Sequence, residues 1–180
     1  MKRESIWNIP EIYEAFGHVR LPRWTELPDL ELYMDQVLGL IDRYLGSYPG
    51  FDRKGLTASM VNNYVKLGIM PAPVKKKYTR AHLAYLIIIC ILKASIPIAG
   101  IQKMIEGQLT RWEIGQVYDH FCVLFDHTGQ AVADSLEQLP PSSLDEADPD
   151  APIWYAALRA QAEQALALKL LSAYPMDPKI

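Results

Sequence analysis

The chain has 180 residues, half of them hydrophobic and 22% charged, with a formal net charge of -3. That much apolar material excludes global disorder; the longest apolar run, Leu83–Leu92, is about half of the ~20 residues of a membrane span; and the first residues, Met-Lys-Arg-Glu-Ser-Ile-Trp-Asn, lack the apolar core of a signal peptide. A soluble, cytoplasmic protein is expected, with the two cysteines, Cys90 and Cys122, as buried free thiols in a reducing compartment.

In chain order, residues 1–28 carry Pro10, Pro22 and Pro28 among Trp7, Tyr13, Phe16 and Trp24, which reads as an irregular arm with a short helix near Glu11–Phe16, its aromatics docking on the body. Asp29 is the expected cap of a helix to Leu45, closed by Gly46. Its apolar face is Leu30, Tyr33, Met34, Val37, Leu38, Ile41, Tyr44 and Leu45. Thr57 then caps a short helix, 57–67, that stops at Gly68. Met60, Val61, Tyr64 and Val65 form its inner face, and Ser59, Asn62, Asn63 and Lys66, at helical spacing, share the outer one. Adjacent asparagines are poor helix formers, and their amide forks match adenine edges in a major groove.

Residues 71–80 follow, Pro-Ala-Pro-Val-Lys-Lys-Lys-Tyr-Thr-Arg. Two prolines enforce an extended backbone, so this stretch predicts a basic wing carrying Lys75, Lys76, Lys77, Tyr78 and Arg80. Arg80 in the first turn of the next helix opposes the helix dipole and is expected to face an anion. Leu83–Leu92 is apolar all round and predicts a central helix. Ser95 to Pro97 restarts a helix with Ile98, Ile101, Met104 and Ile105 inward and Gly107 at its stop. Segment 110–138 is again helical, with Ile114, Val117, Tyr118, Phe121, Leu124 and Phe125 on one side and a bend or break at Thr128-Gly129; 139–151 is an acidic, proline-containing linker; and 152–173 is a last amphipathic helix with Trp154, Leu158, Leu166, Leu170 and Leu171. The expected domains are therefore the arm 1–28, a head 29–109, a dimerisation or effector segment 110–138, the linker and the last helix.

Charge follows the same boundaries. No acid lies between Asp52 and Glu106, while nine bases do, so that stretch is +9 and the remainder, with nine bases and all 21 acids, is -12. A cationic module inside an acidic chain suits a polyanion.

The order Tyr64 to Gly68, Pro71 to Pro73, Lys76-Lys77-Tyr78-Thr79, Leu83–Leu92 and Ile98–Ile105 resembles the winged helix-turn-helix head of the MerR family. Over roughly 29–106 the chain more closely resembles an uncharacterised bacterial family filed as domain of unknown function 1836, through Leu32-Tyr-Met-Asp-Gln-Val37, Leu56-Thr, Met60-Val-Asn-Asn-Tyr64 and Pro73-Val-Lys-Lys-Lys-Tyr78. Where MerR heads place Arg-Tyr, this chain has Asn62-Asn63. The resemblance implies an all-α chain with a MerR-like winged head, binding duplex DNA as a homodimer. Ser59, Asn62, Asn63 and Lys66 would read bases, and Lys75, Lys76, Lys77, Tyr78 and Arg80 would meet phosphates.

No nucleophile elbow, phosphate-cradling glycine loop or zinc spacing occurs, so no enzyme, cofactor or metal is expected. The nearest approach to a ligand set is Asp119, Cys122 and Asp126 on one helical face. A small-molecule effector of unknown identity is compatible with this reading, in a pocket between the C-terminal helices lined by Trp112, Phe121 or Trp154. The alternative is a helical protein–protein interaction module that retains the MerR-like shape.

Overall fold

The computed structural model describes Glu11 and residues 19–52, 54–137 and 150–174. The described residues form a 3-10 turn, η1 (Trp24–Glu26), and six α-helices: α1 (Met34–Leu45), α2 (Ala58–Lys66), α3 (Arg80–Leu92), α4 (Ile98–Leu109), α5 (Ile114–Glu137) and α6 (Ala151–Ala173). Isolated bridges, Leu32 with Tyr78 and Val74 with Lys77, are the β-pairings present among them. The fold class is all-α. The expected helix near Glu11–Phe16 and all but the end of the acidic linker lie outside the described residues.

Helix α3 is the axis. Every residue from His82 to Cys90 is buried, and α1, α4 and α5 all pack against it. Val37, Ile41 and Leu45 of α1, Val61 and Tyr64 of α2, Ile101 and Ile105 of α4, and Tyr118 and Cys122 of α5 complete one core. Burial pushes the Cys90 thiol up to about 11, so it stays protonated and behaves as an apolar side chain.

Several expected boundaries move, each for a local reason. Helix α1 begins at Met34, with the Gln36 side chain accepting from the Tyr33 amide at 2.8 Å. Asp29 cannot cap it, because Leu32 and Tyr78 exchange both backbone hydrogen bonds at 2.8 Å, which holds residues 30–33 out of the helix. Leu32 is consequently buried, while Leu30 and Tyr33 stand exposed. Residue Pro97 precedes α4 as its cap, and the helix runs through Gly107 to Leu109. Gly107 is a contact rather than a stop: a Cβ there would meet the Tyr174 hydroxyl at 2.4 Å. Helix α5 passes Thr128-Gly129 without a break, with the Thr128 hydroxyl bonding back to the Leu124 carbonyl at 2.8 Å and so occupied within the helix.

The described part of the arm does dock. Asp119 accepts from the Trp24 amide at 2.7 Å, Asp126 pairs with Arg23, and the buried Tyr118 hydroxyl donates to the Pro22 carbonyl at 2.7 Å. A Cβ on Gly115 would lie 2.9 Å from the Trp24 ring, so the glycine admits the indole. The Asp119, Cys122 and Asp126 face is thus a clamp for residues 22–24. Removing the Tyr118 hydroxyl leaves the Pro22 carbonyl with only the weak Cys122 thiol donor at 3.7 Å; Tyr118→Phe is expected to cost about 1–3 kcal/mol in urea unfolding.

His82 opens α3. Its Nδ1 accepts from the Thr79 amide at 2.9 Å, so that nitrogen is unprotonated, and burial lowers the pKa of the ring from the ordinary 6.5. Charging His82 would put a proton where the amide donates. The unfolded chain therefore binds the proton more readily than the fold does, and the stability contribution present above pH ~6.5 is lost as pH falls towards the depressed folded value. Unfolding midpoints measured from pH 7.5 to 5.0 should fall, and His82→Asn should flatten that dependence.

Candidate nucleic-acid interface

Helix α2 is built to show one polar face. Thr57 caps it, its hydroxyl oxygen accepting from the Met60 amide at 3.3 Å, and Gly68, with φ of 75°, takes the left-handed conformation that ends it. Val61 and Tyr64 bury into the core, which turns Ser59, Asn62, Asn63 and Lys66 outward; all four are exposed. Ile69 and Met70 then anchor the connecting strand of chain at 3% exposure each, so residues 71–77 leave the body from a fixed base.

The wing is a tight two-residue turn. The Lys77 amide donates to the Val74 carbonyl at 2.9 Å, with Lys75 and Lys76 between them at φ of 49° and 62°. Two successive positive φ values are the signature of a type I′ turn, which Asn-Gly satisfies without strain. Lysine at these positions costs about 1 kcal/mol or more each. The turn holds both ammonium groups at its exposed tip, and no ion pair engages Lys66, Lys75 or Lys76 among the described residues.

The remaining expected contacts are placed differently. Lys77 lies over the Tyr33 ring at 3.6 Å, a cation–π contact that restrains its charge. Tyr78 is 4% exposed, its ring edge-on to His82 at 5.3 Å and its backbone paired with Leu32; it anchors the wing from within and cannot reach a phosphate. Arg80 does face an anion, but an internal one: the Asp29 carboxylate at 3.4 Å, with the Trp24 ring 5.4 Å away. The exposed cationic tip therefore reduces to Lys75 and Lys76. Sequence reasoning missed Asp29, Leu32 and Tyr33 as the supports of the wing, and no spacing in the sequence signals a single bridged residue pair 46 positions apart.

The basic stretch also divides by role. Lys103 donates to the Leu171 and Tyr174 carbonyls at 3.3 and 2.8 Å, capping the end of α6. It is a structural cation, as is Arg80, so two of the nine bases belong to the fold.

No curated protein and no solved structure matches the chain. The family described as Domain of unknown function (DUF1836) matches residues 22–121, a stretch that starts at the clamped arm and ends inside α5. More than half the chain is covered, and the protein belongs to that family.

Proposed function

We propose that the protein binds duplex DNA as a homodimer and regulates transcription, with α2 entering the major groove and the 74–77 turn lying along the phosphates in the manner of a MerR-like winged helix-turn-helix. The observation that carries this reading is the strained lysine pair. Residues held in costly backbone conformations persist where function requires them, and Lys75 and Lys76 occupy a turn that Asn-Gly would stabilise. The exposed Ser59, Asn62, Asn63 and Lys66 face supports a base-reading role, because amide side chains can bond adenine in two places at once. The succession of α1, α2, wing, α3 and α4 has the order of that motif.

Helix α6 supports the dimer. None of its residues is buried, and Trp154, Leu158, Leu166 and Leu170 are 67, 69, 59 and 63% exposed. Leu158, the exposed Ala162 and Leu166 stand at four-residue intervals within about 80° of the helix circumference and form one ridge, from which Trp154 and Leu170 diverge at either end. The ridge is symmetric in size about Ala162 through Leu158 and Leu166, so an antiparallel second copy would set Leu158 against the partner's Leu166, with the small alanine letting the backbones approach at the axis. A two-fold interface demands that self-complementarity.

Duplexes selected from a random library and titrated by fluorescence anisotropy test the DNA reading. Affinity should fall with salt at a log–log slope of about -0.9 per phosphate contact. Lys75→Asn combined with Lys76→Gly should raise stability by about 1 kcal/mol while weakening binding to every sequence and reducing the salt slope by about two. Asn62→Ala should instead relax preference at one base pair, by about 5- to 150-fold. Absence of DNA affinity at low salt removes the proposal. Separately, Leu158→Glu with Leu166→Glu should shift the sedimentation of the full chain from dimer to monomer.

A further inference from the structure

Helices α3, α4, α5 and α6 line a half-open cavity of about 350 Å³. Ile88 and Leu92 of α3 form its floor, Ile105, Phe121 and Leu171 its walls. Its position follows from how α6 docks. Gln164 donates to the Ser95 carbonyl at 3.0 Å, and Lys103 binds the Leu171 and Tyr174 carbonyls, so α6 runs alongside α4 in the same direction. Two glycines set the spacing: a Cβ on Gly100 would lie 2.5 Å from Leu171, and one on Gly107 would lie 2.4 Å from Tyr174. Ile96 and Ala167 therefore close one end of the cavity, and Gln108, His120 and Tyr174 gather at the other.

We infer that this cavity is a binding site for a small amphipathic molecule, with an apolar chain or ring lying along α3 and one neutral or anionic head hydrogen-bonded at Gln108 and His120. Three observations select that class. The volume falls at the lower end of the ~300–1,000 Å³ of small-molecule sites. The lining is almost wholly apolar, from Ile88, Leu92, Ile105, Val117 and Phe121, which suits an apolar body with few polar atoms. No carboxylate lines it, so nothing there would neutralise a cationic head. Polarity rises in one direction only, which orients the guest: the apolar tail goes towards Ile96, the head towards His120. The site stands on its own, whether or not the chain binds DNA.

The probes are 1-decanol, decanoate and decylamine, each below its aggregation threshold, titrated into the full chain by calorimetry without DNA. Decanol or decanoate should bind saturably at one molecule per chain, with decylamine at least 10-fold weaker. Ala167→Phe, which fills the apolar end, should weaken the bound probe at least 10-fold. His120→Ala, at an exposed position, should cost about 5-fold, the worth of one hydrogen bond, and it decides the matter if the Phe variant fails to fold. The inference is overturned if no probe saturates, if decylamine binds as well as decanol and decanoate, or if His120→Ala and a folded Ala167→Phe both leave affinity unchanged. Binding that appears only after Trp154→Ala would also overturn it, because a side chain of a second copy would then be the occupant.

Discussion

A helix buried on every face can carry no charge along its length, and α3 carries none from Ala81 to Leu92. Its nine consecutive buried residues require neighbours all round, and α1, α4 and α5 supply them. Each such aliphatic side chain contributes about 1.5–3 kcal/mol through burial, so the axis dominates the core. The charges of the basic segment are accordingly displaced to the flanks of the axis. Arg80 and Lys93 bracket it, Lys66, Lys75 and Lys76 sit on the elements that lead into it, and Lys103 lies on the helix that follows.

The wing depends on the same helix for its position. Tyr78 sits two residues before α3 begins, buried, edge-on to His82, and bonded through its backbone to Leu32. The arm reaches this point as well, since Trp24 lies beside Arg80 while Asp119 holds its amide. Arm, first helix, wing and axis therefore meet around Tyr78 and Arg80. A turn pinned so firmly at its base can tolerate strain at its tip, because the energy that fixes Val74 and Lys77 is not supplied by Lys75 and Lys76.

What could be read from the sequence was whatever depends on periodicity or on a local cap. The central helix, the inward face of α2, that of α5 apart from Leu124, which is 52% exposed, the Thr57 cap and the Gly68 stop all follow from spacing within one element. What could not be read depends on partners distant in sequence. Asp29 looks like a helix cap until Leu32 is bonded to Tyr78; Gly107 looks like a stop until Tyr174 packs on it; Asp119, Cys122 and Asp126 look like ligands until Pro22, Arg23 and Trp24 are laid across them. In the candidate site the same division holds. The outward face of α2 was legible as a stripe, whereas the separation of Lys75 and Lys76 from Lys77, Tyr78 and Arg80 arises from Tyr33, Leu32 and Asp29.

Helix α6 differs from the rest in what holds it. Read as amphipathic from its sequence, it mixes apolar residues with Arg159, Gln161, Glu163, Gln164 and Lys169 around its circumference, and none of its residues is buried. Its described attachments to the head lie in its second half: Gln164 on Ser95, Leu171 against Gly100, and Lys103 at its end. Residues 151–163 bring Ile153, Trp154 and Leu158 to solvent. Such a helix gains little from its own chain and leaves apolar side chains open on several faces. It also walls a cavity whose floor is Ile88 and Leu92 of the axis. A guest there would touch α3 directly, and α3 is the element on whose first turn the wing is seated. The cavity lined by α6 and the seat of the wing thus lie at opposite ends of one continuous helix, Arg80–Leu92.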